Sequence, residues 1–159
     1  MKRIKIYLET SAISNLDQPN MQNEMADMHV LWDLIKQGEF DVVISSTVID
    51  ELIAIKDTVK RDNLLDYLAE IKYEPVFISD EIRTIANQII LNGILSAKCY
   101  EDCEHLACAI TSNCDCIVSY NFKHLVNFRT IHGARAISNL HGYGNIDIMP
   151  ASILIQKGE

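Results

Sequence analysis

Short runs of β-branched and aromatic residues alternate with segments of helical periodicity along the whole chain. The runs are residues 5–8, 41–45, 75–78, 115–119 and 145–148. Strands that alternate with helices form a parallel sheet whose faces are covered by those helices. We therefore predict a single domain, residues 1–159, with an α/β fold: a three-layer α/β/α sandwich around a mainly parallel central sheet.

Apolar residues at three- and four-residue spacing predict the helices between these strands. The clearest stripe is Met25, Met28, Trp32 and Ile35, closed by Gly38. We expect Ser46 or Thr47 to cap the helix after the second strand, and Ser79 to cap a later one. Residues 125–140 predict one or two helices, interrupted near Gly133.

Length and composition are ordinary for one globular domain. The chain has 159 residues, of which 48% are hydrophobic and 23% charged, and no apolar run approaches the roughly 20 residues that span a bilayer. The amino terminus does not have the pattern of a signal peptide, so a cytoplasmic location is expected. The pair Gly142 and Gly144 precedes no helix, which excludes a dinucleotide-binding fingerprint.

The cysteines favour free thiols over a disulfide framework or a zinc site. They are Cys99, Cys103, Cys108, Cys114 and Cys116. An odd number of cysteines without an export signal argues against disulfides. No Cys-x-x-Cys pair is present, so buried free thiols are a better interpretation than zinc ligands.

Charge is distributed unevenly along the chain. The formal net charge of −8 disfavours a broad, non-specific grip on a polyanion. From residue 116 to residue 146, however, there is no Asp or Glu, while Lys123, Arg129 and Arg135 lie among four aromatic rings. This segment predicts either a basic, aromatic-bearing face whose three cations could contact the phosphates of a nucleic acid, or an ordinary solvated surface.

Glu9 follows the first predicted strand directly, and the hydroxyls of Thr10 and Ser11 follow Glu9. In an open α/β sheet the ligand crevice lies outside the carboxyl ends of the strands. Glu9 is therefore a candidate cation ligand. The alternative is that these residues only cap the next helix, near its positive end.

Three further polar side chains are predicted near the same sheet edge. Glu51 lies one turn into the helix after the second strand, Asp102 lies in the first turn of a later helix, and Asn121 follows the fourth strand. The alternative for Glu51 is a surface residue that the helix dipole favours. Carboxylates that converge on one crevice repel each other unless a cation neutralises them, and oxygen ligands select Mg²⁺ or Mn²⁺. Such a site suits hydrolysis of phosphodiesters by a metal-activated water.

Four motifs together resemble the PIN domain family, the small metal-dependent ribonuclease domain of VapC-like toxins. They are residues 8–11 (LETS), 46–52 (STVIDEL), 102–109 (DCEHLACA) and 118–125 (VSYNFKHL). The resemblance covers nearly the whole chain. Two positions depart from the family pattern, because Glu9 stands where an Asp is usual and Asn121 stands where the family has a fourth acid.

The resemblance implies a role for each matching position. The implied metal ligands are Glu9, Glu51 and Asp102, the fourth catalytic position is Asn121, and the supporting hydroxyls are those of Thr10, Ser11 and Ser119. It implies an Mg²⁺- or Mn²⁺-dependent endoribonuclease acting on single-stranded RNA, as the toxin of a toxin–antitoxin pair, with a homodimeric form and an antitoxin partner. The alternatives are a catalytically inactive RNA- or protein-binding module and, more distantly, a phosphatase for small phosphoesters.

Overall fold

The computed structural model describes residues 2–156. The strands are β1 (Ile4–Leu8), β2 (Phe40–Ser45), β3 (Glu74–Val76), β4 (Cys116–Val118) and β5 (Asp147–Met149). The helices are α1 (Thr10–Ser14), α2 (Gln22–Lys36), α3 (Ser46–Ile53), α4 (Thr58–Ala69), α5 (Asp80–Leu91), α6 (Tyr100–Thr111), α7 (Phe128–Leu140) and α8 (Ala151–Leu154), with 3₁₀ turns at Asn15–Asp17 and Ala97–Cys99. The predicted α/β fold is confirmed.

The five strands form one sheet in the order β3-β2-β1-β4-β5, and each neighbouring pair is parallel. The chain builds the sheet outward from β1 in one direction and then crosses to the other side of β1 for β4 and β5. The reversal places a topological switch point between β1 and β4, where open α/β sheets bind their ligands.

The central strands are buried on both faces. In β1 the last three residues, Ile6, Tyr7 and Leu8, are all inaccessible, and the three residues of β4 are buried as well. Consecutive buried residues mean that helices cover both sides of the sheet. Leu8 pairs with Val118 in register, so the residues after β1 and β4 emerge side by side at the switch point.

Two expectations about the helices are corrected. Ser45, rather than Ser46 or Thr47, caps α3, because its hydroxyl accepts from the Val48 amide at 3.2 Å. Gly133 does not interrupt α7. A Cβ at Gly133 would lie only 2.6 Å from Cγ1 of Ile94, so glycine there allows the helix to pack closely against the segment after α5. The predicted cap at Ser79 is confirmed.

The cysteines are free thiols, and four of them belong to the core. Burial raises the pKa of Cys103, Cys108 and Cys116 to about 12, and it also raises the pKa of Cys114. These thiols therefore stay protonated at neutral pH and pack as small apolar side chains. Cys99 differs from them, because it is only partly buried.

Candidate active site

Glu9 lies at the switch point, and its carboxylate is enclosed by hydrogen bonds. The hydroxyls of Ser11 and Ser119 donate to its Oε1 at 2.5 and 2.6 Å, and the Ser11 amide donates to its Oε2 at 3.0 Å. Only 5% of the residue is exposed. Glu9 therefore caps α1 and also connects the ends of β1 and β4. The capping geometry considered from the sequence is present, and it occurs within the sheet-edge crevice.

The same two serines fix the loop that follows β4. Ser11 Oγ accepts from the Tyr120 amide at 2.8 Å, and Ser119 Oγ accepts from the Asn121 amide at 3.0 Å. Each hydroxyl thus donates to Glu9 and accepts from the loop. As a result, the backbone that carries Asn121 is held in a fixed position relative to Glu9.

Glu51 projects from α3 and is bound from two sides. Thr10 Oγ1 donates to its Oε1 at 2.8 Å, and Nε2 of His105 lies 2.6 Å from the same oxygen. Burial acts to raise the pKa of Glu51, but the hydrogen bond and charge of His105 together with the hydrogen bonds of Thr10 and Glu101 outweigh it, so the pKa is lowered. Glu51 is therefore held ionised at neutral pH.

His105 is a buried member of the site to which sequence reasoning assigned no role. It is 1% exposed, and its Nδ1 lies 2.7 Å from the Tyr7 hydroxyl, which in turn lies 2.6 Å from Ser45 Oγ. Burial acts to lower the pKa of His105, but the bond to Glu51 and the charges of Glu9, Glu51 and Asp102 raise it overall. The sequence does contain a signal for this role. His105 lies three residues after Asp102, on the same helical face, and is followed by an apolar helical stretch.

Asp102 lies in the first turn of α6 and contacts the loop after β4. Asn121 Nδ2 donates to its Oδ1 at 3.4 Å, and His124 Nδ1 lies 3.1 Å from its Oδ2. Burial raises the pKa of Asp102, and the charge of Glu9 adds to this effect against the opposing influence of His105 and His124. Two carboxylates thus act on each other across the crevice. Charge repulsion of this kind is relieved when a cation binds between them.

Two cavities flank this turn of α6. One, of about 520 Å³, is strongly acidic. It is lined by Ser46, Thr47, Asp50, Glu51, Ala54, Ile78, Glu101 and Glu104. The other, of about 550 Å³, contains Lys123, His124 and Arg129 in its wall. An acidic cleft therefore lies beside a basic one.

The three predicted RNA-contacting cations are not equivalent. Lys123 and Arg129 line the basic cavity, although one guanidinium nitrogen of Arg129 donates to the Gly93 carbonyl at 2.5 Å. Arg135 is paired with Asp147 and also donates to the carbonyl of Ile146. Asp147 is the first residue of β5, so it lies at the amino end of the parallel strands, whereas the crevice lies at their carboxyl end. Arg135 therefore lies away from the other candidate site residues.

The oxygen donors of the crevice fit a hard divalent cation. Within residues 2–156, the carboxylates of Glu9, Glu51 and Asp102 do not form a set with all ligand atoms inside 4.8 Å. Mg²⁺ tolerates such spacing, because it usually keeps several waters and uses only one or two carboxylates directly. The one set of three or more His, Cys, Asp or Glu ligands that meets this distance in the described chain is Cys99, Asp102 and His124.

None of the helices in the described part of the chain is both long and apolar enough to span a membrane.

The chain matches the family model of the PIN domain over residues 8–123. No curated protein matches it. Among solved structures it is similar to a chain of the crystal structure of VapBC2 from Rickettsia felis bound to a DNA fragment from their promoter. The TM-score is 0.55 at 16% sequence identity, and the alignment covers 76% of this chain and 90% of that chain. At this identity, the structural likeness shows the fold alone.

The matched range contains Glu9, Glu51, Asp102 and Asn121. PIN domains are generally nucleases and typically use divalent metal ions. The family model covers well over half of the sequence, which confirms the resemblance found in the motifs. This chain belongs to the PIN domain family.

Proposed function

We propose that this protein is an Mg²⁺- or Mn²⁺-dependent endoribonuclease that hydrolyses phosphodiester bonds of single-stranded RNA. The observation that supports this most strongly is the placement of three carboxylates around the switch point, where the charges of Glu9, Glu51 and Asp102 all act on the single buried imidazole of His105. Even when it is protonated, one imidazole balances only one of three negative charges. The remaining charge favours a divalent cation.

Glu51 and Asp102 would hold the ion, with Glu9 and the Asn121 amide beside it. When bound, the ion supplies a water of lowered pKa and stabilises the leaving oxygen. His105 and Thr10 keep the Glu51 carboxylate ionised and oriented. Ser11 and Ser119 orient the Glu9 carboxylate.

The surface beside the acidic crevice supplies groups suited to a single RNA strand. Lys123 and Arg129 can contact phosphates, and Phe122 and Phe128 are 56% and 83% exposed. Exposed aromatic rings next to cations provide stacking platforms for unpaired bases. The absence of acids between residues 116 and 146 keeps this face from repelling the phosphates.

We further propose that the protein acts as the toxin of a toxin–antitoxin pair. Its acidic cavity, with Asp50, Glu51, Glu101 and Glu104 in the wall, is complementary to a basic segment of an antitoxin. The solved structure that it resembles is a VapBC2 assembly bound to promoter DNA. A homodimeric form remains a prediction.

One observation favours a second function, an RNA- or protein-binding module without turnover. The Glu9 carboxylate already accepts three hydrogen bonds from neighbouring residues, and Glu9 is almost fully buried. If no cation displaces these hydrogen bonds, the protein would bind RNA or a partner protein without cleaving RNA.

The test is cleavage of a labelled single-stranded RNA with Mn²⁺, Mg²⁺ or EDTA. The parent protein is compared with Asp102→Asn and with the matched control Asp41→Asn, an exposed carboxylate on β2. We expect metal-dependent cutting by the parent and by Asp41→Asn, and none by Asp102→Asn of verified fold. Cutting by Asp102→Asn at the parent rate would contradict the proposed site. Absence of cutting on several RNAs, with RNA still bound, would favour the binding module, and hydrolysis of small phosphoesters alone would favour a phosphatase.

A further inference from the structure

Three side chains of different chemistry meet at the start of α6. Cys99 ends the 3₁₀ turn before the helix, Asp102 lies in its first turn, and His124 lies in the loop after β4. One ligand atom from each residue lies within 4.8 Å of the other two. They bring together a sulfur, a carboxylate oxygen and an imidazole nitrogen, which are three of the ligand types that zinc uses in proteins.

The group is accessible to a hydrated ion. Cys99 is partly buried, whereas the other four cysteines are buried. The side chains of Asp102 and His124 are 19% and 34% exposed, and Cys99 and His124 line the cavity of about 550 Å³. An ion can therefore reach Cys99 and His124 from that cavity, and the Asp102 carboxylate lies within 4.8 Å of both ligand atoms.

Neighbouring hydrogen bonds restrain the ligands. The His124 amide donates to Asn121 Oδ1 at 3.0 Å, and the His124 carbonyl accepts from Thr130 Oγ1 at 2.6 Å. Asp102 is held by the side chain of Asn121, and Ser96 Oγ lies 3.8 Å from Cys99 Sγ. Because these residues are already positioned, little conformational freedom is lost when an ion binds.

We propose that Cys99, Asp102 and His124 form a site for a thiophilic transition-metal ion of the zinc class. Thiolate and imidazole ligands select zinc-like ions over Mg²⁺ and Mn²⁺, which prefer oxygen. Three protein ligands leave a fourth position open to water or another ligand, as in zinc sites that are not purely structural. This site therefore differs in ion preference from the oxygen-lined crevice beside it.

Asp102 is common to both sites, and this gives the second site a regulatory consequence that rests on the proposed nuclease function. An ion held by Cys99, His124 and Asp102 would occupy the Asp102 carboxylate, which could then no longer hold a cation in the crevice. Zinc would then inhibit RNA cleavage supported by Mg²⁺ or Mn²⁺.

The site is tested first by cobalt binding in the absence of RNA. Co²⁺ bound to a thiolate gives a charge-transfer absorption band that Co²⁺ bound only to oxygen and nitrogen does not give. We expect one equivalent of Co²⁺ to produce this band in the parent protein and Zn²⁺ to abolish it by displacement. Cys99→Ser should lose the band, and His124→Gln should weaken Co²⁺ binding at least about 10-fold. The matched control His141→Gln, an exposed histidine after α7, should bind as the parent does.

A second readout uses alkylation of Cys99, located by mass spectrometry. Zn²⁺ should protect Cys99 in the parent but not in His124→Gln. A charge-transfer band that persists in Cys99→Ser, or Co²⁺ binding without such a band in the parent, would overturn the proposal. So would alkylation of Cys99 at the same rate with and without Zn²⁺.

The regulatory consequence is measured separately as the ratio of RNA cleavage with and without Zn²⁺. We expect inhibition in the parent and its loss in Cys99→Ser. Equal inhibition of both proteins would contradict the regulatory role. Failure of the proposed nuclease function would appear as absence of RNA cleavage under all conditions, and the cobalt band would be unaffected by it.

Discussion

The two ends of the parallel sheet carry charged residues in opposite arrangements. At the amino end, a cavity of about 760 Å³ is lined by seven charged residues. They are Arg3, Lys5, Lys36, Asp41, Glu70, Lys72 and Glu74. Most are paired across the cavity, with Lys5 2.9 Å from Glu74 and Lys36 3.4 Å from Glu70. At the carboxyl end, acids outnumber the cations that contact them.

The proposed active site therefore lies at the end of the sheet with unbalanced charge and not at the end with the larger cavity. The amino-end cavity is larger, but its charged side chains are mostly paired. Such exposed ion pairs contribute little to stability and leave little net charge to attract a ligand. At the carboxyl end, Glu51 contacts the buried imidazole of His105, and the charges of Glu9 and Asp102 also act on it. Partly buried side chains with charge of one sign destabilise the folded protein. Such side chains are concentrated at sites that bind a ligand or take part in a reaction.

The largest expected effect is a loss of RNA cleavage on substitution at the carboxyl end of the sheet but not at its amino end. Glu51→Gln keeps the shape of the side chain and removes its charge, so we expect a loss of about 100-fold in RNA cleavage rate. Glu74→Gln, the matched change at the amino end, should leave the rate unchanged. Both rates are measured with Mg²⁺ at saturating RNA. Equal losses in the two variants would contradict the contrast between the ends.

Removal of one buried hydroxyl should have the next largest effect. Ser119→Ala leaves Glu9 Oε1 with one donor fewer and leaves the Asn121 amide without its acceptor. We expect a loss of about 1–3 kcal/mol in the free energy of unfolding, because buried polar groups are left unsatisfied. Chemical denaturation gives the value. Ser112→Ala, which removes a hydroxyl with no hydrogen bond among the described residues, is the control, and a Ser119→Ala protein as stable as that control would contradict the connection of β1 to β4.

His105→Gln should lower stability by about 1–3 kcal/mol in a pH-dependent way. The pKa of His105 is raised from its ordinary value of 6.5, so its stabilising charge is fully present below pH 6.5 and is lost as the pH rises through the raised value. The pKa of Glu51 is lowered from 4.5, so its contribution is present above pH 4.5 and is lost as the pH falls through the lowered value.

The difference in Tm between the parent and His105→Gln should therefore be largest between pH 4.5 and pH 6.5. Thermal unfolding across this range and into alkaline pH measures it, with His141→Gln as the control. A difference that grows steadily towards alkaline pH would mean that His105 is neutral in the folded protein.

The smallest effect is expected at the amino end. Lys5→Met breaks the pair with Glu74, whose side chain is more than half exposed. We expect a change within about 1 kcal/mol, and added salt should reduce it further. Urea denaturation at low and high salt checks this. A loss as large as that of His105→Gln would erase the distinction between paired and unbalanced charge.

Local patterns predicted much of the fold. The strands are short runs of β-branched and aromatic residues, whereas the helices have apolar residues at three- and four-residue spacing. The alternation of elements was sufficient to predict a parallel α/β sheet. The position of Glu9 after β1 and of Asn121 after β4 was readable for the same reason, since parallel strands end at one edge. The Ser45 cap was missed by one residue, because three consecutive hydroxyls offered equivalent signals.

Side-chain direction could not be read from the sequence. His105, Cys99 and Arg135 show this most clearly. The imidazole of His105 reaches Glu51, 54 positions earlier in the chain, and Cys99 meets His124 only because the loop after β4 returns to α6. Arg135 belongs to an acid-free segment, yet α7 directs it to Asp147 at the other edge of the sheet. Such pairings depend on tertiary packing.

The enclosure of Glu9 also bears on whether the fold needs a bound cation. In small zinc-dependent domains the ligands separate and the chain unfolds when the metal is removed. Here two hydroxyls and an amide already occupy the carboxylate that a cation would approach. The crevice therefore keeps its shape through hydrogen bonds within the chain, and we expect the protein to stay folded when a chelator removes divalent cations.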